Sequence, residues 1–212
     1  AHGEIRTLDT NAAAAMPGIL GIFTGADLRA DGLGDIPSGL PLKNRDGSPY
    51  VVPPRPALAV GRVRHVGEPI AVVVAETAAE AQDAVEAVVV EFDPLPAIAD
   101  TEGAAAAGAP QLHEAAPGNL CLDFFVGDDE AAEAAFAAAA HVSTIRIENT
   151  RMVVNTMEPR AALGQYDPVA EKFTLHMPSQ GVTGVRGTLA NAIFKIPPDK
   201  LRVISNDVGG SF

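Results

Sequence analysis

The sequence has a single cysteine, Cys121, and no tryptophan. One thiol excludes an internal disulfide and any four-cysteine iron–sulfur or zinc site built from this chain alone. Basic residues are also scarce: 15 Lys and Arg stand against 27 Asp and Glu, a formal net charge of -12. That balance excludes a protein that tracks phosphate backbones, which needs clustered cations, so no nucleic-acid partner is expected. No apolar run approaches the roughly 20 residues of a membrane span, and no segment has the order of a secretory leader. Walker, zinc-protease, nucleophile-elbow and G-x-G-x-x-G signatures are all missing. The five histidines, His2, His65, His113, His141 and His176, stand singly. They predict no metal site, and the chain offers no catalytic set of its own.

The hydrophobic share is 47%, much of it alanine, which suits one ordinary core or two small ones. Ile70–Ala75 is an apolar run of strand length, expected to be a buried strand. Thr77 precedes Glu80 by three residues, the capping-box spacing, and predicts a helix to about Val88 with Ala81, Ala84, Val85 and Val88 on one face. Val88–Phe92 then turns to strand character, and Pro94 and Pro96 stop it. Upstream, Asn11–Met16 reads as a short helix and Ile19–Phe23 as a strand, while Leu33–Pro56 reads as a long surface loop. Downstream, acids at Asp128, Asp129 and Glu130 open an alanine-rich helix to about Ala140. Strands are expected over Val142–Glu148, Ala161–Tyr166, Lys172–Met177 and Leu201–Ile204, with a helix over Val182–Phe194. The order is α+β.

Residues 100–140 carry eight acids and no Lys or Arg, the mark of a solvated connection and helix surface. Asp207-Val208-Gly209-Gly210-Ser211-Phe212 follows a strand, where paired glycines let backbone N–H groups approach an anion or oxo atom; a plain turn is the simpler reading. Gln180 could donate a neutral hydrogen bond into the same place or be solvated. Glu158-Pro159-Arg160 offers either a structural ion pair or a cleft lining. Cys121 reads as a small packed residue.

In sequence order, Ala1-His2-Gly3-Glu4-Ile5, Met16-Pro17-Gly18, Phe23–Leu28, Val66-Gly67-Glu68-Pro69-Ile70 through Glu76, and Glu91-Phe92-Asp93-Pro94 resemble the opening α/β hammerhead of the molybdenum hydroxylase large subunit. This is the family of xanthine dehydrogenase, aldehyde oxidase and carbon monoxide dehydrogenase. Gly118-Asn119, Met157–Ala161, Ser179-Gln180-Gly181 and the last glycine loop resemble the start of its molybdopterin-binding region. The resemblance implies a hammerhead domain over 1–99, a linker over 100–118, and a truncated molybdopterin-binding domain over 119–212. It implies that Gln180 hydrogen-bonds near an oxo ligand of molybdenum, and that Gly209, Gly210, Ser211 and Phe212 bring backbone amides beside the cofactor. Many relatives carry a third glycine where this chain has Ser211, which leaves the subclass open.

The same resemblance implies molybdopterin as its cytosine dinucleotide in the full-length subunit, with iron–sulfur clusters on a small subunit and FAD on a medium subunit. The substrate would be an aldehyde or N-heterocycle, hydroxylated with oxygen from water. The general base, a Glu, would lie beyond residue 212, so the chain, which lacks an initial Met and stops inside a glycine loop, is expected to be an inactive fragment. A cytoplasmic location is expected, with the periplasm as the alternative. A non-catalytic hammerhead interaction module and a simple anion-binding α+β protein are the competing readings.

Overall fold

The computed structural model describes residues 2–149 and 157–210. Strand β1 (Gly3–Asp9) lies between β3 (Arg62–Val63) and β5 (Val89–Pro94), both antiparallel to it. Glu4 faces Arg62 across the first pair and the two form an ion pair. A second antiparallel pair joins β2 (Ile19–Thr24) to β4 (Ala71–Ala75). Helices α1 (Asn11–Ala14), α2 (Gly25–Ala30) and α3 (Ala78–Ala87) pack around these sheets.

The expected strand–helix–strand is present. Thr77 Oγ1 accepts from the Glu80 N–H at 3.2 Å, and the Glu80 carboxylate accepts from the Thr77 N–H at 3.0 Å. Such a cap contributes about 1 kcal/mol. Two details differ from the sequence reading. In β4, Val72 and Val74 alternate outward, so the strand is half-exposed, because a two-stranded sheet here covers one face only. On α3, Ala84 is fully buried but Val85 is half-exposed: the face that packs runs through Ala81, Ala84 and Ala87. Small side chains let the helix lie close to the sheet, and the cost is a core made largely of alanine, with no large side chain fully enclosed among the described residues.

Between α2 and β3 the chain runs as the expected long loop, with one bridge between Lys43 and Pro49. The connection that follows β5 is more ordered than a plain linker. Asp100 caps α4 (Thr101–Ala104), and Asn119 pins the chain beyond it: its Oδ1 accepts from the Leu112 N–H at 2.9 Å, and its Nδ2 donates to the carbonyls of Ala104 at 2.9 Å and Pro110 at 3.0 Å. Arg64 Nε donates to the Leu112 carbonyl at 2.9 Å, fastening this loop to β3. Cys121, partly buried, accepts from the Val51 N–H through its carbonyl at 2.8 Å.

His113 sits in that loop, half-buried. Its basicity is held below the ordinary value of 6.5, first by loss of water and then by the Arg64 cation and by His2, with Glu68 opposing. The unfolded chain therefore takes up this proton before the folded one does. Stability from His113 is intact above the ordinary value and is lost as pH falls through it, levelling off below the folded value. The thermal midpoint is expected to drop between pH 7.5 and 5.5, and His113→Gln to show a smaller drop. Equal drops in both proteins would remove His113 as the cause.

Asp128 accepts from the Ala131 N–H at 2.9 Å and caps α5 (Asp129–Ala138), as the acidic cluster predicts. Among the described residues no strand is formed over 142–148, where one was expected. Ile145 and Ile147 are 79% and 78% exposed, and none of the described strands offers this segment a ladder. A strand pattern in the sequence does not by itself supply the neighbour that a ladder needs.

The last sheet has the order β6 (Leu163–Asp167), β7 (Lys172–His176), β8 (Leu201–Ile204). β6 and β7 form a hairpin whose turn is closed by Asp167, which accepts from the Val169 and Ala170 N–H groups at 2.9 and 3.0 Å. β7 and β8 are parallel, and the crossover between them is α6 (Val182–Thr188) continued by wider π-helical turns over Leu189–Phe194. The expected single helix is thus regular only in its first half. Ala190 and Ile193 in the π-helical part are buried, and the Ile193 carbonyl accepts from the Gly34 N–H at 2.8 Å. Lys195, left-handed at φ 54°, ends the turn and donates from Nζ to the Gly32 carbonyl at 2.7 Å.

Candidate functional site

Because β7 and β8 are parallel, both leave the sheet at the same edge, the carboxyl edge of a β–α–β crossover. Loops leaving such an edge converge, which is why α/β sheets bind ligands there. The loop after β7 carries Ser179 and Gln180; the loop after β8 runs from Ser205 to Gly210.

Their roots are tied together. The Met177 N–H donates to the Ile204 carbonyl at 3.0 Å, extending the parallel ladder by one bond. The Ser179 N–H then donates to Ser205 Oγ at 3.1 Å, and the Gly181 N–H donates to Ser179 Oγ at 3.0 Å. Gln180, exposed, is therefore held between two residues whose amides are fixed.

The β8 loop is also held further out. The Gly209 N–H donates to the Glu158 carboxylate, which arrives from the segment ahead of β6. A Cβ on Gly209 would lie 2.8 Å from Glu158 Cβ and 3.0 Å from its Oε2, so no side chain fits. Gly210 has φ 129°, in the region that favours glycine. Both glycines named from sequence thus have a structural requirement. Ser211 and Phe212, the other two residues expected here, lie outside the described residues.

Sequence reasoning assigned neither Ser205 nor Glu158 to this edge. Ser205 could have been found as the first polar residue after the apolar strand Leu201–Ile204. Glu158-Pro159-Arg160 stood out in the sequence, but nothing local tied Glu158 to this loop, since its Gly209 partner is 51 residues away. The donors assembled here, backbone amides, an amide side chain and hydroxyls, are neutral. Among the described residues no group of three His, Cys, Asp or Glu is placed to ligate a metal ion directly. This donor set fits a metal brought in on an organic cofactor, whose oxygen ligands accept hydrogen bonds without any added protein charge. An open cavity of about 890 Å³ lies toward the other end of the sheet, where Asp167, Lys172, Asp199 and Arg202 line it; neither Gln180 nor the glycine loop does.

Residues 1–96 match the family described as "Aldehyde oxidase and xanthine dehydrogenase, a/b hammerhead domain", and residues 112–212 match "Molybdopterin cofactor-binding domain". The carbon monoxide dehydrogenase large chain of Hydrogenophaga pseudoflava is 30% identical over 224 residues, covering 100% of this chain and 26% of that protein. A probable xanthine dehydrogenase chain of Bacillus subtilis is 32% identical over 211 residues, with the same two coverages of 100% and 26%. Among solved structures, the reconstituted carbon monoxide dehydrogenase from Oligotropha carboxidovorans superposes with a TM-score of 0.86 at 27% identity, over 100% of this chain and 26% of that one. The chain spans about a quarter of the length of these relatives. It belongs to the aldehyde oxidase and xanthine dehydrogenase family, as an α/β hammerhead followed by the first part of a molybdopterin-binding α+β domain.

Proposed function

We propose that the protein works as part of the large subunit of a molybdenum hydroxylase that hydroxylates an aldehyde or N-heterocycle with oxygen from water. Residues 1–99 are its hammerhead domain, 100–118 a linker, and 119–212 the beginning of the cofactor domain. Gln180, Gly209, Gly210, Ser211 and Phe212 hold the oxygen-ligand side of the cofactor. The cofactor is molybdopterin as its cytosine dinucleotide, and when bound it supplies the redox and oxygen-transfer chemistry. A small iron–sulfur subunit and a medium FAD subunit carry electrons away, in the cytoplasm, and residues 1–212 alone are inactive.

The observation that supports this most strongly is the pair of cross-tied loops at one parallel edge, with Gln180 on the first and, on the second, Gly209, which has no room for a Cβ. Neutral donors fixed before the ligand arrives need little reorganisation, and they stabilise oxygen ligands without the desolvation cost of a buried cation. Residues 1–212 contribute binding and orientation; no proton carrier within this stretch is assigned.

The test is the metal and pterin content of the full-length gene product, purified with its partner chains. About one molybdenum and one released cytidine nucleotide per large subunit are expected. A folded full-length protein that holds neither would overturn the proposal and leave the non-catalytic hammerhead module standing.

A further inference from the structure

We infer that Glu158 is a positioning residue for the glycine loop, committing the Gly209 amide to the protein so that the loop's contribution to the cofactor begins at Gly210. This rests on the cofactor-site reading above and deepens it.

The contact has two parts. The Gly209 N–H donates to the Glu158 carboxylate, and the Glu158 side chain also occupies the space that a Cβ at 209 would need, with its own Cβ 2.8 Å away. Glu158 therefore fixes both the direction of one amide and the side of the loop on which nothing else can stand. An ionised carboxylate is an acceptor only. It has no hydrogen to offer an oxygen ligand, and a negative charge turned toward an anionic cofactor would repel it. Turned onto a backbone N–H, the same charge gives a hydrogen bond roughly twice as strong as a neutral one.

The place of the contact matters. The loop after β8 is fixed at its root by Ser205, whose Oγ accepts from the Ser179 N–H at 3.1 Å. Asn206, Asp207 and Val208 then pass through solvent. Without a second anchor, three exposed residues would leave the tip free to swing. Glu158 supplies that anchor from outside the β7–β8 pair, on the segment that leads into β6. Gly210, just after the anchored amide, stands at φ 129°, a conformation that favours glycine. The glycines accordingly have different tasks: Gly209 makes room for the anchor, and Gly210 takes a backbone conformation that a side chain would strain.

The experiment uses the full-length subunit with its partner chains, as wild type, Glu158→Ala, Glu158→Gln and, as control, Glu171→Ala, which removes only the exposed partner of Lys200. Two readouts are taken: hydrogen–deuterium exchange of the peptide containing Gly209, and the electron paramagnetic resonance signal and amount of bound molybdenum. In Glu158→Ala, exchange at the loop is expected to speed up about 10-fold, and molybdenum retention to fall about 10-fold, with a broadened signal. Glu158→Gln keeps a carbonyl acceptor and should stay within about 2-fold of wild type on both, as should Glu171→Ala. Unchanged exchange in Glu158→Ala would show that the contact is not made and overturn the inference. Faster exchange with an unaltered molybdenum signal and content would show a contact that positions nothing, and overturn it as well. Glu158→Gln behaving like Glu158→Ala would overturn the acceptor role. Wild-type protein without molybdenum would instead sink the cofactor reading, and the positioning role with it, whatever the exchange data showed.

Discussion

Gly34→Val is expected to lower the thermal midpoint by roughly 6–12 °C, a large effect for a single substitution in a surface loop. A Cβ at position 34 would lie 1.9 Å from the Ala192 carbonyl oxygen and 3.5 Å from Ile193 Cα. Both are backbone atoms, so no rotamer change can make room. The loop after α2 and the π-helical turn must separate, and with them goes the 2.8 Å bond from the Gly34 N–H to the Ile193 carbonyl. Overpacking costs typically 1–3 kcal/mol and a lost hydrogen bond about 1 kcal/mol more, which together give about 3 kcal/mol. Two neighbouring glycines calibrate the result. Gly39 has open space around it, so Gly39→Ala should move the midpoint by no more than about 2 °C. Gly32 also has open space but sits at φ 75°, so Gly32→Ala should cost about 1 kcal/mol through backbone strain alone. A midpoint for Gly34→Val no lower than that of Gly32→Ala would mean that the loop and the π-helical turn do not touch in solution. The consequence reaches the candidate site, because the helix that Gly34 receives begins directly after the Gln180-Gly181 pair.

What could be read from the residues alone was what the chain encodes locally. The Thr77–Glu80 cap and the helix it opens rest on neighbours three or four residues apart and were legible, as were the flanking strands by their apolar runs, although their partners β2 and β1 lie far along the chain. The helix opened by the acids at Asp128, Asp129 and Glu130 was legible too. Segment 142–148 also suits a strand, yet none of the described strands pairs with it, since pairing depends on a neighbour that no local pattern specifies. The π-helical turns over Leu189–Phe194 have no signature in a sequence that reads as ordinary helix; they follow from packing on the Gly32–Gly34 loop, whose contact with Lys195 spans 163 residues. The site divides in the same way. Gly209 and Gly210 announce a turn, but whether that turn faces a ligand depends on β7 and β8 being parallel, a long-range fact. Gln180, read from its own surroundings, was either a neutral donor or a solvated side chain, and only the resemblance chose between them.

On the proposed function, Gln180→Ala in the full-length protein is expected to lower kcat by about 10²–10³-fold, with molybdenum content unchanged. The backbone on both sides of Gln180 is fixed, by Ser179 N–H to Ser205 Oγ at 3.1 Å and by Gly181 N–H to Ser179 Oγ at 3.0 Å. A donor carried on so constrained a stretch is oriented before charge develops on its acceptor, and this is the condition under which one neutral donor contributes several kcal/mol to a transition state and little to ground-state binding. kcat and kcat/KM should therefore fall together while KM stays within about 3-fold. Glu at the same position separates donation from charge. Gln180→Glu keeps the length of the side chain but exchanges the donor for an acceptor-only carboxylate, and its charge opposes the cofactor's oxygen ligands. It should lose molybdenum as well as turnover, whereas Gln180→Ala should lose turnover only. Gln180→Ala retaining more than about half of wild-type kcat would place the side chain away from the reacting centre. A rise in KM at constant kcat would make it a substrate contact instead, since uniform binding is lost without any change in the chemical step.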